Sequence, residues 1–167
     1  MNESHFSTES FFSFNLKDEM FSLPVKYVKE VFEFETITSI PNSLPYLKGV
    51  MNVRGGVVSI VDLRKLFCFE VSDDLTGTQV IIMEIPQNNE KPVLLGILAD
   101  KVDVVSRLNI IQADSKDYGI NEGQDFVKSV ARRGESFILI LDPEKILSFI
   151  EADVEKAFEE VSKKSNF

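Results

Sequence analysis

The chain has 167 residues, 44% of them hydrophobic, with a net charge of -9 and a pI near 4.7. That apolar content suffices to bury a core without staples, and the acidic balance argues against a nucleic-acid backbone or an anionic membrane surface as the main ligand. The lone cysteine, Cys68, cannot form an intrachain disulfide, and the lone histidine, His5, lies in a polar arm, so Ser-His-Asp or Cys-His catalysis in the folded body is excluded.

Residues 1–10 are polar without periodicity and read as a disordered arm. They lack the basic and apolar regions of a signal peptide, and no apolar run reaches the roughly 18 residues of a membrane span, so a soluble, non-exported protein of a reducing cytosol is expected. Phe11 to Leu16 and Met20 to Leu23 flank the polar turn Lys17-Asp18-Glu19 as an opening hairpin. Pro24 starts a helical turn through Val25 and Tyr27, and Glu30 to Phe34 alternates like a half-buried strand. A loop fixed by Pro41 and Pro45 follows.

Leu47 to Leu66, LKGVMNVRGGVVSIVDLRKL, is the most informative stretch. Two β-branched runs, Val50 to Val53 and Val57 to Val61, are joined by Gly55-Gly56, which offers the positive φ of a tight hairpin. Asp62 caps a helical turn from Leu63, and Arg54 is the one cation at the tip of an otherwise apolar hairpin. Cys68 reads as a small hydrophobe after that short helix.

After a polar break at Asp73 to Gly77, Gln79 to Ile85 and Val93 to Ala99 form a hairpin around the loop PQNNEKP, and Val102 to Leu108 continues as strand. Asn109 to Gln124 reads as irregular loop. Phe126 to Ala131 and Phe137 to Leu141 flank the turn Arg132 to Ser136 as a late hairpin, followed by the helix start Asp142-Pro143-Glu144. Ile146, Ile150, Val154, Ala157 and Val161 then run at helical spacing.

Laying Asp142 on Asp62 brings Lys128, Val130, Ile140, Lys145 and Ile146 onto Lys48, Val50, Ile60, Lys65 and Leu66. A strand, a turn with Arg and Gly, a strand, a capping Asp and a helix follow in the same order in both places. The repeat predicts two similar β subdomains of about five short strands each, mostly antiparallel because the connections are short. Each capping Asp is expected to contribute about 1 kcal/mol.

No metal-ligand cluster or phosphate-binding loop is legible, and the carboxylate pairs Asp73-Asp74, Asp100 with Asp103, and Glu159-Glu160 read as solvated faces or loop ends. What remains is a β-rich body suited to binding other proteins, with an apolar small-molecule carrier as the contrasting class.

The stretch LKGVMNVRGGVVSIVDLRKLF resembles the signature of the CheW family, coupling proteins of bacterial chemotaxis, and the likeness extends over about residues 11 to 150 through FFSFNLKDEMFSLPVKYVKEVFEF, LLGILADKVDVVSRL and FILILDPEKIL. The resemblance implies a mainly β fold of two intertwined five-stranded SH3-like β-barrels with short helices, the CheW-like domain over 11–150 and a C-terminal helix or tail over 151–167. It further implies a non-catalytic, cofactor-free cytoplasmic adaptor joining the tips of methyl-accepting chemoreceptors to the histidine kinase CheA at membrane receptor arrays, or the same part in another chemosensory pathway such as pilus motility. Carried across residue by residue, the receptor-facing groove would comprise Val25, Val28, Glu30, Gly49 and Arg54, with Gly96 and Val102 from the second half; kinase-facing residues stay unassigned. Gly56, Ser59 and Pro41 depart from the family's usual residues at their positions.

Overall fold

The computed structural model describes residues 5–40, 44–70, 74–111 and 126–165, with the side chains of residues 5, 6, 104 and 156–165 left aside. In chain order the strands are β1 (His5–Phe6), β2 (Phe11–Leu16), β3 (Glu19–Pro24), β4 (Val28–Glu33), β5 (Leu47–Val53), β6 (Gly56–Val61), β7 (Gln79–Gln87), β8 (Glu90–Ala99), β9 (Lys101–Ser106), β10 (Asn109–Ile111), β11 (Val127–Arg133) and β12 (Ser136–Leu141). A 3-10 turn spans Val25–Tyr27, and the helices are α1 (Leu63–Leu66) and α2 (Pro143–Ser165).

The strands form two sheets, one ordered β4-β7-β8-β6-β5 and the other β1-β10-β11-β12-β3-β2-β9. Without β1 and β10, the second has the same plan as the first. In one, the hairpin β5-β6 lies parallel on β8, followed by β7 and β4; in the other, the hairpin β11-β12 lies parallel on β3, followed by β2 and β9. Hydrogen bonds repeat as well: Asp62 N donates to Tyr46 O and Asp142 N to Phe126 O, each at 2.8 Å. Register shifts fall at the matching places Leu47/Gly49 and Val127/Ser129. The internal repeat is therefore present in the backbone, and its halves exchange their leading hairpins. β2-β3 serves the sheet completed by the late hairpin, and β7-β8 serves the sheet of the central one.

The exchange explains why the central strands read as unbroken apolar runs. On β7, Ile81, Met83 and Ile85 enter the core shared by both sheets, while Val80 and Ile82 join Met51, Val58, Ile60 and Leu98 in a separate core of the five-stranded sheet. Phe11, Leu108, Ala131, Ile138 and Ile140 form the counterpart in the other sheet. Burial on both faces removes the polar alternation that a half-exposed strand shows.

Several local expectations shift. The arm is ordered from His5: β1 pairs with β10, and the buried Ser7 hydroxyl accepts from Leu108 N at 3.1 Å. Asn109–Ile111, expected as loop, is strand, while residues 112–125 lie outside the described residues. The expected loop PQNNEKP is only a two-residue turn, with Asn89 at φ 59. Beyond Met83 and Leu95 no strand among the described residues pairs with the outer edges of the β7-β8 ribbon, so Pro86 and Pro92 deprive no such strand of a donor. Cys68 is exposed, at φ 62, not packed.

The two capping aspartates are equivalent in position and unequal in what they hold. Asp142 Oδ1 accepts from Glu144 N at 3.1 Å and Lys145 N at 3.3 Å in an exposed setting, as a helix cap does. Asp62 is fully buried: it accepts from Arg64 N at 3.0 Å and also takes the Arg64 guanidinium through Nε at 2.9 Å and Nη2 at 3.0 Å. Asp142→Ala should cost about 1 kcal/mol in urea unfolding, whereas Asp62→Ala removes the main partner of a buried cation, leaving only Asp100 at 2.8 Å, and should cost about 2 to 4 kcal/mol. Equal losses at the two positions would show that the buried pair adds nothing beyond the cap.

Candidate functional site

The tip of the central hairpin is a two-residue turn closed by the pair Val53 and Gly56. Its turn residues are Arg54 and Gly55, at φ 51 and φ 83, so both occupy the left-handed region that a twist-matched two-residue hairpin demands. Gly56 lies in β6 and needs no special conformation, which moves the turn one residue earlier than Gly55-Gly56 suggested. Asn52 Oδ1 accepts from Gly55 N at 3.0 Å and stiffens the turn. Arg54 thus projects from a rigid corner with 78% of its side chain exposed.

Its guanidinium reaches Glu30 on β4 through a fork, Nε to Oε2 and Nη2 to Oε1, both at 3.1 Å. Two residues far apart in sequence that were both assigned to one groove are therefore joined directly. The hydrogen bond from Arg54 holds the Glu30 carboxyl below the usual glutamate range, against an opposing effect of desolvation, and the charges of Arg54 and Lys29 add to the lowering. Lys29 itself pairs with Glu84 at 3.7 Å.

The pair links the turn that follows β5, last in the sheet order β4-β7-β8-β6-β5, to β4, first in it. The segment after β4 also returns to β5, where Thr38 and Val50 exchange backbone hydrogen bonds of 2.9 Å in both directions. At that crossing stands Gly49, at φ 144, where an added Cβ would lie 2.1 Å from the Thr38 carbonyl oxygen. Gly49 is thus required by the close approach of two backbones. Val25 is exposed in the 3-10 turn before β4, its N-H donating to Ser10 O at 3.0 Å, and Val28 is half-buried against the shared core.

The two second-half candidates lie apart from this corner. Gly96 is buried within the five-stranded core, where a Cβ would meet Ile60 Cδ1 at 2.4 Å. Val102 sits half-buried on β9 of the other sheet, opposite Phe14. Sequence reasoning overlooked Val57, which is 77% exposed beside the tip. The signal was available: with Val58 and Ile60 on the inner face of β6, strand alternation turns Val57 outward.

Among the described residues no group of three or more His, Cys, Asp or Glu side chains is placed to hold a metal ion. No helix among them is long and apolar enough to cross a membrane.

A family model described as the CheW-like domain matches residues 10–151. The chain is 28% identical over 141 residues to the chemotaxis protein CheW of Klebsiella aerogenes, covering 84% of this chain and 82% of that one. It is 27% identical over 142 residues to the Treponema pallidum CheW, covering 81% and 80%. Among solved structures, the scaffolding protein TtCheW from Thermoanaerobacter tengcongensis superimposes with a TM-score of 0.68 at 24% identity, over 80% of this chain and 88% of that chain, a likeness of fold.

The ion pair and the glycine have separable consequences. In Arg54→Ala the Glu30 pKa, followed by NMR titration, should rise into the ordinary glutamate range. Because the folded value is depressed, the pair's contribution is present above the ordinary value and lost as pH falls through the depressed one, so the variant's melting temperature should lose that acid-side dependence. Gly49→Ala should lower the melting temperature far more than Arg54→Ala, since a backbone oxygen cannot step aside as a side chain can. A Glu30 titration identical in wild type and Arg54→Ala would show that the fork does not form in solution.

Proposed function

This chain belongs to the CheW-like domain family, and from that premise we propose that it is a non-catalytic cytoplasmic adaptor, holding chemoreceptor tips and the histidine kinase CheA together through separate surfaces. The observation that carries the reading is the exposed Arg54-Glu30 fork on a rigid hairpin corner, with Val57 beside it and Val25 and Val28 on the approach to β4. Receptor tips are helical hairpins. A pre-organised guanidinium on a stiff turn loses little freedom on binding and can share its donors between Glu30 and a carboxylate or carbonyl of a partner helix. Val25, Val28, Glu30, Gly49 and Arg54 form the receptor-facing set in this reading, with Gly96 and Val102 acting from behind or from the neighbouring sheet.

The names of the relatives support the chemotaxis pathway, and CheW-like proteins of other chemosensory systems would use the same corner chemistry. Arg54→Ala should weaken binding of a receptor cytoplasmic fragment by about 1 to 3 kcal/mol, with Arg54→Lys intermediate, while binding of the kinase regulatory domain changes little. A charge swap, Glu30→Arg with Arg54→Glu, separates roles within the site. It keeps an ion pair and should keep the melting temperature, yet should still lose the receptor, because the guanidinium has moved to the strand. Receptor affinity surviving the swap would mean that the pair matters only to the fold.

A further inference from the structure

We propose that the tip of the late hairpin is a second protein-docking corner, built on the same plan as the Arg54 corner and fitted to an acidic partner segment with an apolar anchor. The first support is the repeat. In each five-stranded set an arginine at the hairpin tip pairs with a carboxylate on the strand at the far end of the sheet order: the turn residue Arg54 with Glu30 on β4, and Arg133, one place earlier at the end of β11, through Nη1 with Asp103 Oδ2 on β9 at 2.6 Å. In each, the outer strand shifts register beside that carboxylate, between Val28 and Glu30 in one and opposite the Phe12/Phe14 step in the other. Such bulges re-aim side chains and recur where a strand has a task beyond pairing.

The second support is exposure. Four of the six exposed large hydrophobic side chains among the described residues belong to these two regions: Val25 and Val57 in the first, Val105 and Phe137 in the second. Val57 and Phe137 hold matching places in the two hairpins, each opposite the second residue before the turn, Asn52 and Arg132. Phe137 is 52% exposed, with the Arg132 guanidinium 5.6 Å from its ring centre. That arrangement orients a cation above an aromatic face without covering it.

The third support identifies the occupant. A depression of about 500 Å³ lies beside this tip, walled by Arg107 with its neighbours Ser106 and Asn109 on one side and by Arg132 and Arg133 on the other. All three charged residues that line it are arginines, with the carboxylates of Asp103 and of the turn residue Glu135 beside them, so its wall is locally positive on a chain of net charge -9. Solvation of the surface at large calls for acid, so a concentration of arginine beside an exposed aromatic fits carboxylates flanking an apolar side chain. The inference stands on this corner alone and does not need the receptor reading of the first.

The test uses the full chain, labelled with nitrogen-15, and two synthetic helical peptides, one of leucine and glutamate and one of leucine and lysine in the same pattern. The chain's overall charge repels the glutamate peptide, so binding it demands a local site. Amide shifts at Ser106–Asn109 and Arg132–Phe137 with the glutamate peptide only, weakened by about tenfold in Arg132→Glu and in Phe137→Ser and by added salt, are the expected result. Both substitutions are at exposed positions, and the amide spectrum reports directly whether the fold is kept. Shifts elsewhere, binding of the lysine peptide instead, or equal affinity in the folded variants would overturn the proposal. So would a concentration-dependent dimer that Phe137→Ser abolishes, which would make a second copy the occupant.

Discussion

A guanidinium removed from water needs carboxylates on more than one side, and Arg64 has them. It is 5% exposed, forked onto Asp62 and reaching Asp100 Oδ1 through Nη1 at 2.8 Å. Asp62 follows β6 as the cap of α1, while Asp100 lies between β8 and β9, where the chain leaves one sheet for the other. Asp100 also binds the remaining sheet, its N-H donating to Asn15 O at 2.9 Å and its other oxygen accepting from Lys17 N. Two carboxylates, one cation and two backbone N-H groups thus satisfy one another in a single node, buried at Arg64 and Asp62 and part-exposed at Asp100, and no buried side-chain nitrogen or oxygen among the described residues lacks a partner. The node fixes the hairpin β5-β6 against the turn β2-β3, so the orientation of the Arg54 corner depends on it.

Much of this architecture was legible in the sequence because it is local. The capping Asp before Pro143, the helical period after it, and the β-branched runs on either side of the glycines each act over a few residues. The exchange of hairpins was not legible in periodicity or turn signals, and only the family resemblance implied that the two halves intertwine. β6 on β8 and β12 on β3 are parallel contacts between stretches far apart in the chain, and the residues involved, Ile60 with Gly96 and Ile140 with Ser22, look like any apolar and small residues until their partners are known. The arm failed for a related reason: two residues of strand at His5–Phe6 exist only because β10 offers an edge. The placement of Ala157 and Val161 on α2 concerns side chains outside the described residues.

At the site, the residue types were readable and their mutual arrangement was not. Arg54 stood out as a cation in an apolar hairpin, and Glu30 as an acid in an alternating strand, but nothing in one sequence says that a fork joins them. The turn itself was misplaced by one residue because glycine is the usual bearer of positive φ, whereas here Arg54 accepts that conformation and Gly56 does not use it. Aligning the halves more strictly would have exposed Val57, since its counterpart Phe137 also follows a turn and points away from the small core.

The same comparison bears on what an exposed ion pair means in this fold. Arg54 with Glu30 and Arg133 with Asp103 occupy equivalent corners, each tying the ends of a five-stranded set, so a role in holding those ends together is sufficient to account for a pair at both places. Exposed pairs, however, contribute little to stability, because water and salt screen them and two long side chains must be held still. A device that adds so little to the fold, yet recurs at both corners beside an outward apolar residue, is better matched to presenting a guanidinium than to closing a sheet. The carboxylate then serves as a rest for the cation, through a fork at Glu30 and a single bond at Asp103, while the residues around it, Val57 in one corner and Phe137 with Arg132 in the other, differ in their chemistry.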